Sequence, residues 1–242
     1  MHTPKRDGRQ TCDSSGVVRS GEPFVGGEAL ALGLVNRHQL RTRYRAVFPN
    51  VYLPRRSDPT LEQRIAAAWL WSDRQGVIAG TAAAAVHGTK WIDADIAVEL
   101  VYSNAHPPPG VLTRRDVLLD GEVMKVAGRA VTTPERTAFD IGRREERRLA
   151  VARLDALARA SGFKVDDAAS LALRHPGVRG LRRLEDVLDL VDAGAESPRE
   201  TYLRLLLIDA GLLRPQTQIP VVTADTTYYL DMGWEGCLVA VE

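Results

Sequence analysis

Three carboxylates near the end of the sequence have the type and spacing to hold a divalent cation: Glu200, Asp231 and Glu242. Glu200 stands in the first turn of a helix opened by Ser197-Pro198-Arg199-Glu200. A serine N-cap, a proline at the first helical position and a glutamate at the third form a capping box. Leu203, Leu206, Leu207 and Ala210 recur at helical spacing, and Gly211 ends the helix. Extended runs follow over Thr217–Val222, Thr226–Trp234 and Cys237–Glu242, with turns at Ala224-Asp225 and Glu235-Gly236. If Glu235-Gly236 is a two-residue hairpin loop, Trp234 pairs with Cys237, Asp231 faces Ala240 and Tyr229 faces Glu242. Asp231 and Glu242 are then diagonal neighbours on one face, with Cβ atoms roughly 7–8 Å apart. Such a pair can share one hard, oxygen-preferring ion such as Mg2+. Glu200 is either a third ligand or simply the cap of its own helix. An acid on a strand between Tyr229 and Trp234 has little structural use, so Asp231 points more strongly to chemistry.

A second constellation suits a different task. Between Ala29 and Ser57 the chain carries Arg37, His38, Arg41, Arg43, Arg45, Arg55 and Arg56 and no acid. Arg37 and Arg41 lie four apart on one helical face, where they repel unless an anion stands opposite. A phosphate backbone supplies that anion. Around these residues the pattern reads as a short helix over Glu28–Leu32 stopped at Gly33, a second over Arg37–Arg43 capped by Asn36, and a β-ribbon over Tyr44–Leu53 with Pro49-Asn50 at its tip. That is a winged helix-turn-helix outline, with Arg37, His38, Arg41, Arg43 and Arg45 as expected DNA contacts. In the ribbon, Val47, Val51 and Leu53 are expected to pack beneath Arg45.

The other elements must carry these two constellations. Thr60–Trp71 reads as a helix with Leu61, Ile65, Ala68 and Trp69 inward, and Gly80–Val86 as a close-packed alanine-rich helix that ends at His87. Ile96–Tyr102, Val111–Leu119 and Glu122–Val126 read as strands. Thr132-Thr133-Pro134-Glu135-Arg136 starts a further helix, capped by Thr133 or by Thr132, with Thr137, Ala138, Phe139 and Ile141 facing inward. Helices follow over Glu145–Ala160, Asp166–Leu173 and Leu181–Val191, and a hinge over 192–195. Arg179, Arg182 and Arg183 gather at the wrong end of their helix for its dipole, to be offset by Glu185 and Asp186 or to face an anion.

Composition sets the outer bounds. The net charge of +1 means that any nucleic-acid signal must be local. The two cysteines, Cys12 and Cys237, have neither metal-ligand nor redox spacing, which fits a reduced cytoplasmic setting. No run approaches the ~20 apolar residues of a membrane helix, so no membrane partner is expected. No serine–histidine, cysteine–histidine or nucleotide-binding arrangement argues for another enzyme class.

Both constellations resemble known families. Glu196, Ser197, Glu200, Arg204, Leu207, Gly211, Gln218, the run Tyr229-Leu230-Asp231 and Val239-Ala240-Val241-Glu242 resemble the very-short-patch-repair-type endonuclease domain of the PD-(D/E)XK fold. The resemblance implies Glu200, Asp231 and Glu242 as catalytic residues, with Asp231 and Glu242 as metal ligands. In that family an aspartate, a glycine and a later histidine follow the last glutamate. The sequence stops at Glu242, so the expectation is a truncated, inactive remnant with no required cofactor. Gly33-Leu34 to Arg43, Val47 to Tyr52, Thr81-Ala82-Ala83 to His87-Gly88 and Thr133 to Asp140 resemble actinobacterial antitoxins of the AbiEi type, the antitoxins of type IV toxin–antitoxin systems. That resemblance covers roughly residues 24–145 and implies regulation through DNA binding, with a cognate toxin protein as partner in some members.

The expected fold class is α+β: an N-terminal winged helix-turn-helix, a mixed α/β middle region and a partial α/β nuclease-like fold at the C-terminal side. The expected boundaries are a flexible tail over 1–22, the winged module over 23–57, the AbiEi-like region over 58–145, a helical connector over 146–195 and the nuclease-like region over 196–242. The expected function is a DNA-binding regulator that acts on double-stranded DNA. Its rivals are a metal-dependent DNA endonuclease and an antitoxin that works mainly through protein–protein contact.

Overall fold

The computed structural model describes residues 21–56 and 58–241. The tail expected over 1–22, apart from its last two residues, and Glu242 therefore lie outside the described residues. The fold class is α+β, with helices packed on three separate sheets.

The N-terminal part follows local sequence signals closely. Strand β1 (Phe24–Val25) leads into helix α1 (Gly26–Ala31). Helix α2 (Arg37–Arg43) starts at Asn36, whose side chain accepts from the Gln39 N–H at 2.8 Å while Gln39 accepts from the Asn36 N–H at 2.9 Å. This reciprocal cap fixes the helix start without help from the rest of the fold. Strands β2 (Tyr44–Phe48) and β3 (Val51–Pro54) form the ribbon, with a bulge between Ala46 and Phe48, and β1 adds to β3. Pro49-Asn50 is the tip, and Asn50 takes φ 60°, which asparagine tolerates better than most residues. The tip folds back: the Asn50 carbonyl accepts from the Gly26 N–H and its side chain from the Gly27 N–H, at the start of α1.

This module does not close a core of its own. Phe48 and Val51 from the ribbon join Ile65, Ala67 and Ala68 of α3 (Leu61–Trp71), and Ala82 and Ala83 of α4 (Gly80–Val86). Ile78, Val98, Leu100, Val111 and Val131 of the central sheet complete the cluster. Helix α3 begins with a capping box between Thr60 and Gln63. Its buried stripe is Ile65 with Ala66, Ala67 and Ala68, whereas Leu61 and Trp69 are only half-buried.

The central sheet runs β6 (Val111–Arg114), β5 (Val98–Val101), β4 (Val77–Ile78), β8 (Arg129–Thr132), β7 (Val123–Val126). Pairings β4–β8 and β5–β6 are parallel, and the other two are antiparallel. Strands β4 and β8 have no counterpart in the sequence reading. Two to four residues carry no period, and their partners are distant in sequence.

A second core lies among α5 (Pro134–Arg144), α6 (Arg147–Ser161), α7 (Val165–Arg174), α8 (Leu181–Leu188) and α9 (Pro198–Asp209). Helix α5 is at its centre and packs against α4, α6, α7 and α8. Thr133 is its cap, accepting from the Arg136 N–H, with Pro134 at the first helical position. Helix α8 comes so close to α5 that a Cβ on Gly142 would meet Leu184 Cδ1 at 2.7 Å. Arg183 donates to the carbonyls of Arg144 and Glu145 at 3.3 Å each. The basic start of α8 therefore serves the open carbonyl end of α5, where a cation is favoured.

The last sheet is β11 (Val239–Val241), β10 (Thr227–Trp234), β9 (Gln216–Val222), all antiparallel. Here the structure corrects the expected register. A 3-10 turn over Glu235–Cys237 with Leu238 at φ 51° replaces the two-residue loop. Trp234 therefore pairs with Val239 rather than Cys237, and Gly233 rather than Asp231 faces Ala240.

Val51 is 1% exposed in the shared core. Val51→Asp should unfold the ribbon together with α3, because a carboxylate there has no partner. Arg45→Ala should leave the thermal melting temperature nearly unchanged. Equal loss of folding in both variants, read by circular dichroism, would place Arg45 in the core instead of on the surface.

Candidate nucleic-acid interface and the network behind it

Helix α2 presents Arg37, His38, Arg41 and Arg43 to solvent and has no acid. Its fixed start leaves the first turn pointing outward with its cations intact. At its other end the Arg55 guanidinium donates to the Arg41 carbonyl at 2.9 Å, and Arg56 is exposed beside it. Arg45 on β2 makes a 3.2 Å ion pair with fully exposed Asp58, just past the acid-free stretch. A pair with so exposed an acid contributes little to stability.

The carboxylates Glu200, Asp231 and Glu242 are the other expected constellation. Glu200 is occupied at the start of α9: its side chain accepts from the Glu196 N–H and from the Ser197 hydroxyl, each at 2.8 Å. Asp231 is half-buried on the middle strand of the last sheet. Glu242 lies outside the described residues, so the paired ligands Asp231 and Glu242 are not both in view. Among the described residues, no group of three or more His, Cys, Asp and Glu side chains converges as a metal site.

Residues that the sequence reading passed over form the most concentrated electrostatics of the molecule. Arg136 on α5 is 1% exposed and bonds to Glu122, to Asp140 at 3.0 Å and to the Val117 carbonyl at 3.0 Å. His175 Nε2 is 2.7 Å from Glu122 Oε1, close enough to donate to it. Arg143 reaches Asp140 and Asp116, while Arg144 bonds to Glu99 and Asp116. Burial raises the Glu122 carboxyl, but His175, the Leu119 N–H and Arg136 outweigh it and leave the group below the usual carboxylate range. Burial likewise raises Asp116, and Arg144 and Arg143 bring it below that range. For Glu99 burial prevails over Arg144 and Arg114, and its carboxyl stays raised. The available sequence signal was Arg136 and Asp140, four apart on a helix with apolar neighbours. The acids that complete the network come from the strand region.

A second buried pair joins α6 to α9. Arg204 and Asp155 meet at 2.7 Å with both side chains buried, and Asp155 also accepts from the Thr201 hydroxyl and the Asp192 N–H. Arg147–Asp209 and Arg159–Glu196 clasp the same two helices at their ends. The expected hinge is part of this joint: Asp192 also accepts from Gly194 N–H and from Thr217 on β9. His87 ends α4 as expected, with Nε2 2.8 Å from the Thr132 carbonyl.

Burial pushes the Asp155 carboxyl up to about 6, with Arg204, the Asp192 N–H and Thr201 pulling the other way. Folding thus disfavours its charged form. The contribution to stability is fully present below the unfolded value near 3.8 and is lost as pH rises through about 6. The Asp155 carboxyl 13C resonance should titrate near pH 6, and a midpoint below 4 would refute this. Asp155→Asn turns an amide N–H2 toward donors and should cost about 3–5 kcal/mol, as expected when a buried pair loses one charge.

Residues 74–193 match the family model described as the AbiEi antitoxin C-terminal domain. The match leaves out residues 24–73 of the expected resemblance and runs past its end at 145 through α8. The uncharacterized proteins MT2308 and Rv2248, from two strains of Mycobacterium tuberculosis, are each 27% identical over 186 residues, covering 76% of this chain and 68% of theirs. No solved structure matches. No helix among the described residues is long and apolar enough to cross a membrane. The ion network on α5 thus lies inside a region similar to the AbiEi antitoxin C-terminal domain.

Proposed function

We propose that this chain is a cytoplasmic DNA-binding regulator of the AbiEi antitoxin type, acting on double-stranded DNA through α2 and on a cognate toxin protein through the region over 74–193. The observation that carries the DNA reading is α2 itself: a firmly capped helix that displays Arg37, His38, Arg41 and Arg43 and contains no acid. At a net charge of +1 the chain as a whole has no pull on DNA, so affinity rests on this patch with Arg55, Arg56 and Arg45. Phosphate contacts there position the module, and exposed His38 and Thr42 are available for base edges.

Affinity for duplex DNA should fall with salt, with a log–log slope of about −0.9 per phosphate neutralised. Arg37→Ala combined with Arg41→Ala should flatten that slope by about two units if each residue neutralises one phosphate. An unchanged slope in a folded double variant would remove α2 from the interface.

The C-terminal sheet with α9 is read as a nuclease-like region that does not cleave DNA, because Glu200 is engaged at the start of its own helix. Glu200 serves as a helix cap, which weakens its standing as a metal ligand, and Asp231 with Glu242 would hold Mg2+ through two carboxylates at most. Plasmid DNA incubated with the protein in Mg2+ or Mn2+ should stay supercoiled. Nicking that vanishes in Asp231→Asn would establish the endonuclease reading instead.

A further inference from the structure

A cavity of about 200 Å³ lies between the loop after α4, helix α6 and the start of α9. Ala152, Ala156 and Ala160, four apart on one face of α6, line it, so a flat molecule can come close to the helix. Trp91 is its aromatic wall. The side chain is 62% exposed, so its ring is reachable from solvent. Its indole N–H donates to the Glu196 carbonyl at 3.1 Å, which fixes the ring at the cavity. Trp91 also sits at φ 63°, a backbone region that is costly for a bulky side chain. Residues held there cluster at ligand clamps and other functional sites.

The charges on the lining are unevenly matched. Asp155 is buried and paired with Arg204, and Glu196 is paired with Arg159. Lys90 lines the same cavity, is exposed, and has no hydrogen bond or ion pair among the described residues. Each acid on the lining thus has its arginine, and the Lys90 ammonium is left over. We propose that the cavity is a ligand site for a small flat aromatic molecule that carries one anionic group, its ring against Trp91 and its charge on Lys90. An indole face beside alanines takes a planar apolar body by stacking, and one free ammonium balances one negative charge. The site goes beyond the DNA and toxin contacts, since it uses none of the cations of α2. A bound molecule would bridge the loop after α4, α6 and α9, and would raise the melting temperature by mass action.

Benzoate and benzamide are the probes, because they share ring and shape and differ in charge. Titration of the full chain by 1H–15N correlation spectra should move the Trp91 indole N–H and the amides of Ala156, Ala160 and Ser197. Benzoate should bind roughly 5-fold more tightly than benzamide at low salt, the upper worth of an exposed ion pair. The difference should shrink as salt rises. Lys90→Gln should abolish that preference while it keeps benzamide binding. Lys90 is exposed, so the variant should melt where the parent does, and lost discrimination cannot then be put down to unfolding. Trp91→Gly removes the ring and accepts φ 63° without strain, so it should stay folded and weaken both probes. No binding of either probe at millimolar concentration, shifts confined to other residues, a benzoate preference that survives in Lys90→Gln, or unchanged affinities in folded Trp91→Gly would each overturn the proposal.

Discussion

Helix α5 is buried over almost its whole length yet carries Arg136, Asp140, Arg143 and Arg144. Such a helix can exist only where every charge meets an opposite one, since an isolated ion in a protein interior costs several kcal/mol. That demand brings the rest of the region into place. Glu122 and Asp116 from the strand side, Glu99 from β5 and His175 from the end of α7 each have to arrive for α5 to be covered. Replacing such a network with well-packed apolar side chains is often neutral for stability, whereas removing one member costs about 3–5 kcal/mol. A rotation or one-turn shift of α5 would separate several of these charges from their partners together.

The same logic holds one layer out. Helices α6 and α9 are joined by ion pairs at both ends and by the buried Asp155–Arg204 pair between them. Asp155 also accepts from the Asp192 N–H, and Asp192 in turn holds Thr217 at the start of the last sheet. The C-terminal sheet is thus tied to the α5 unit by a chain of polar contacts. Tyr228, Tyr229, Val222 and Leu238 remain exposed on it.

The basic surface of α2 has a different origin. Its cations are set by local rules: Asn36 and Gln39 fix where α2 begins, and the helix period then spaces Arg37 and Arg41. The ribbon beside it is less independent. Its inner residues belong to the core of the central sheet, and its tip is bonded to the start of α1. A module that looks separate in sequence is in this way mechanically continuous with the antitoxin-like region behind it.

Sequence by itself determined what depends on neighbours within about one helical turn. The limits of α2, the caps of α3, α5 and α9, the turn at Asn50 and the apolar stripe Leu184, Val187, Leu188 all follow from capping chemistry and periodicity. Only the tertiary structure decided what depends on partners far along the chain. Strands β4 and β8 are too short to have a period and exist because the sheet pairs them. The β10–β11 register follows from a 3-10 turn that puts Leu238 at positive φ, a conformation nothing in its side chain announces. Arg136 and Asp140 could be read as a helical pair, but Glu122 and His175, 14 and 39 residues away from Arg136, become its partners only when strand and helix close over α5. Hydrogen-bonded caps are satisfied locally, whereas buried charge has to be satisfied by whatever the fold brings to it.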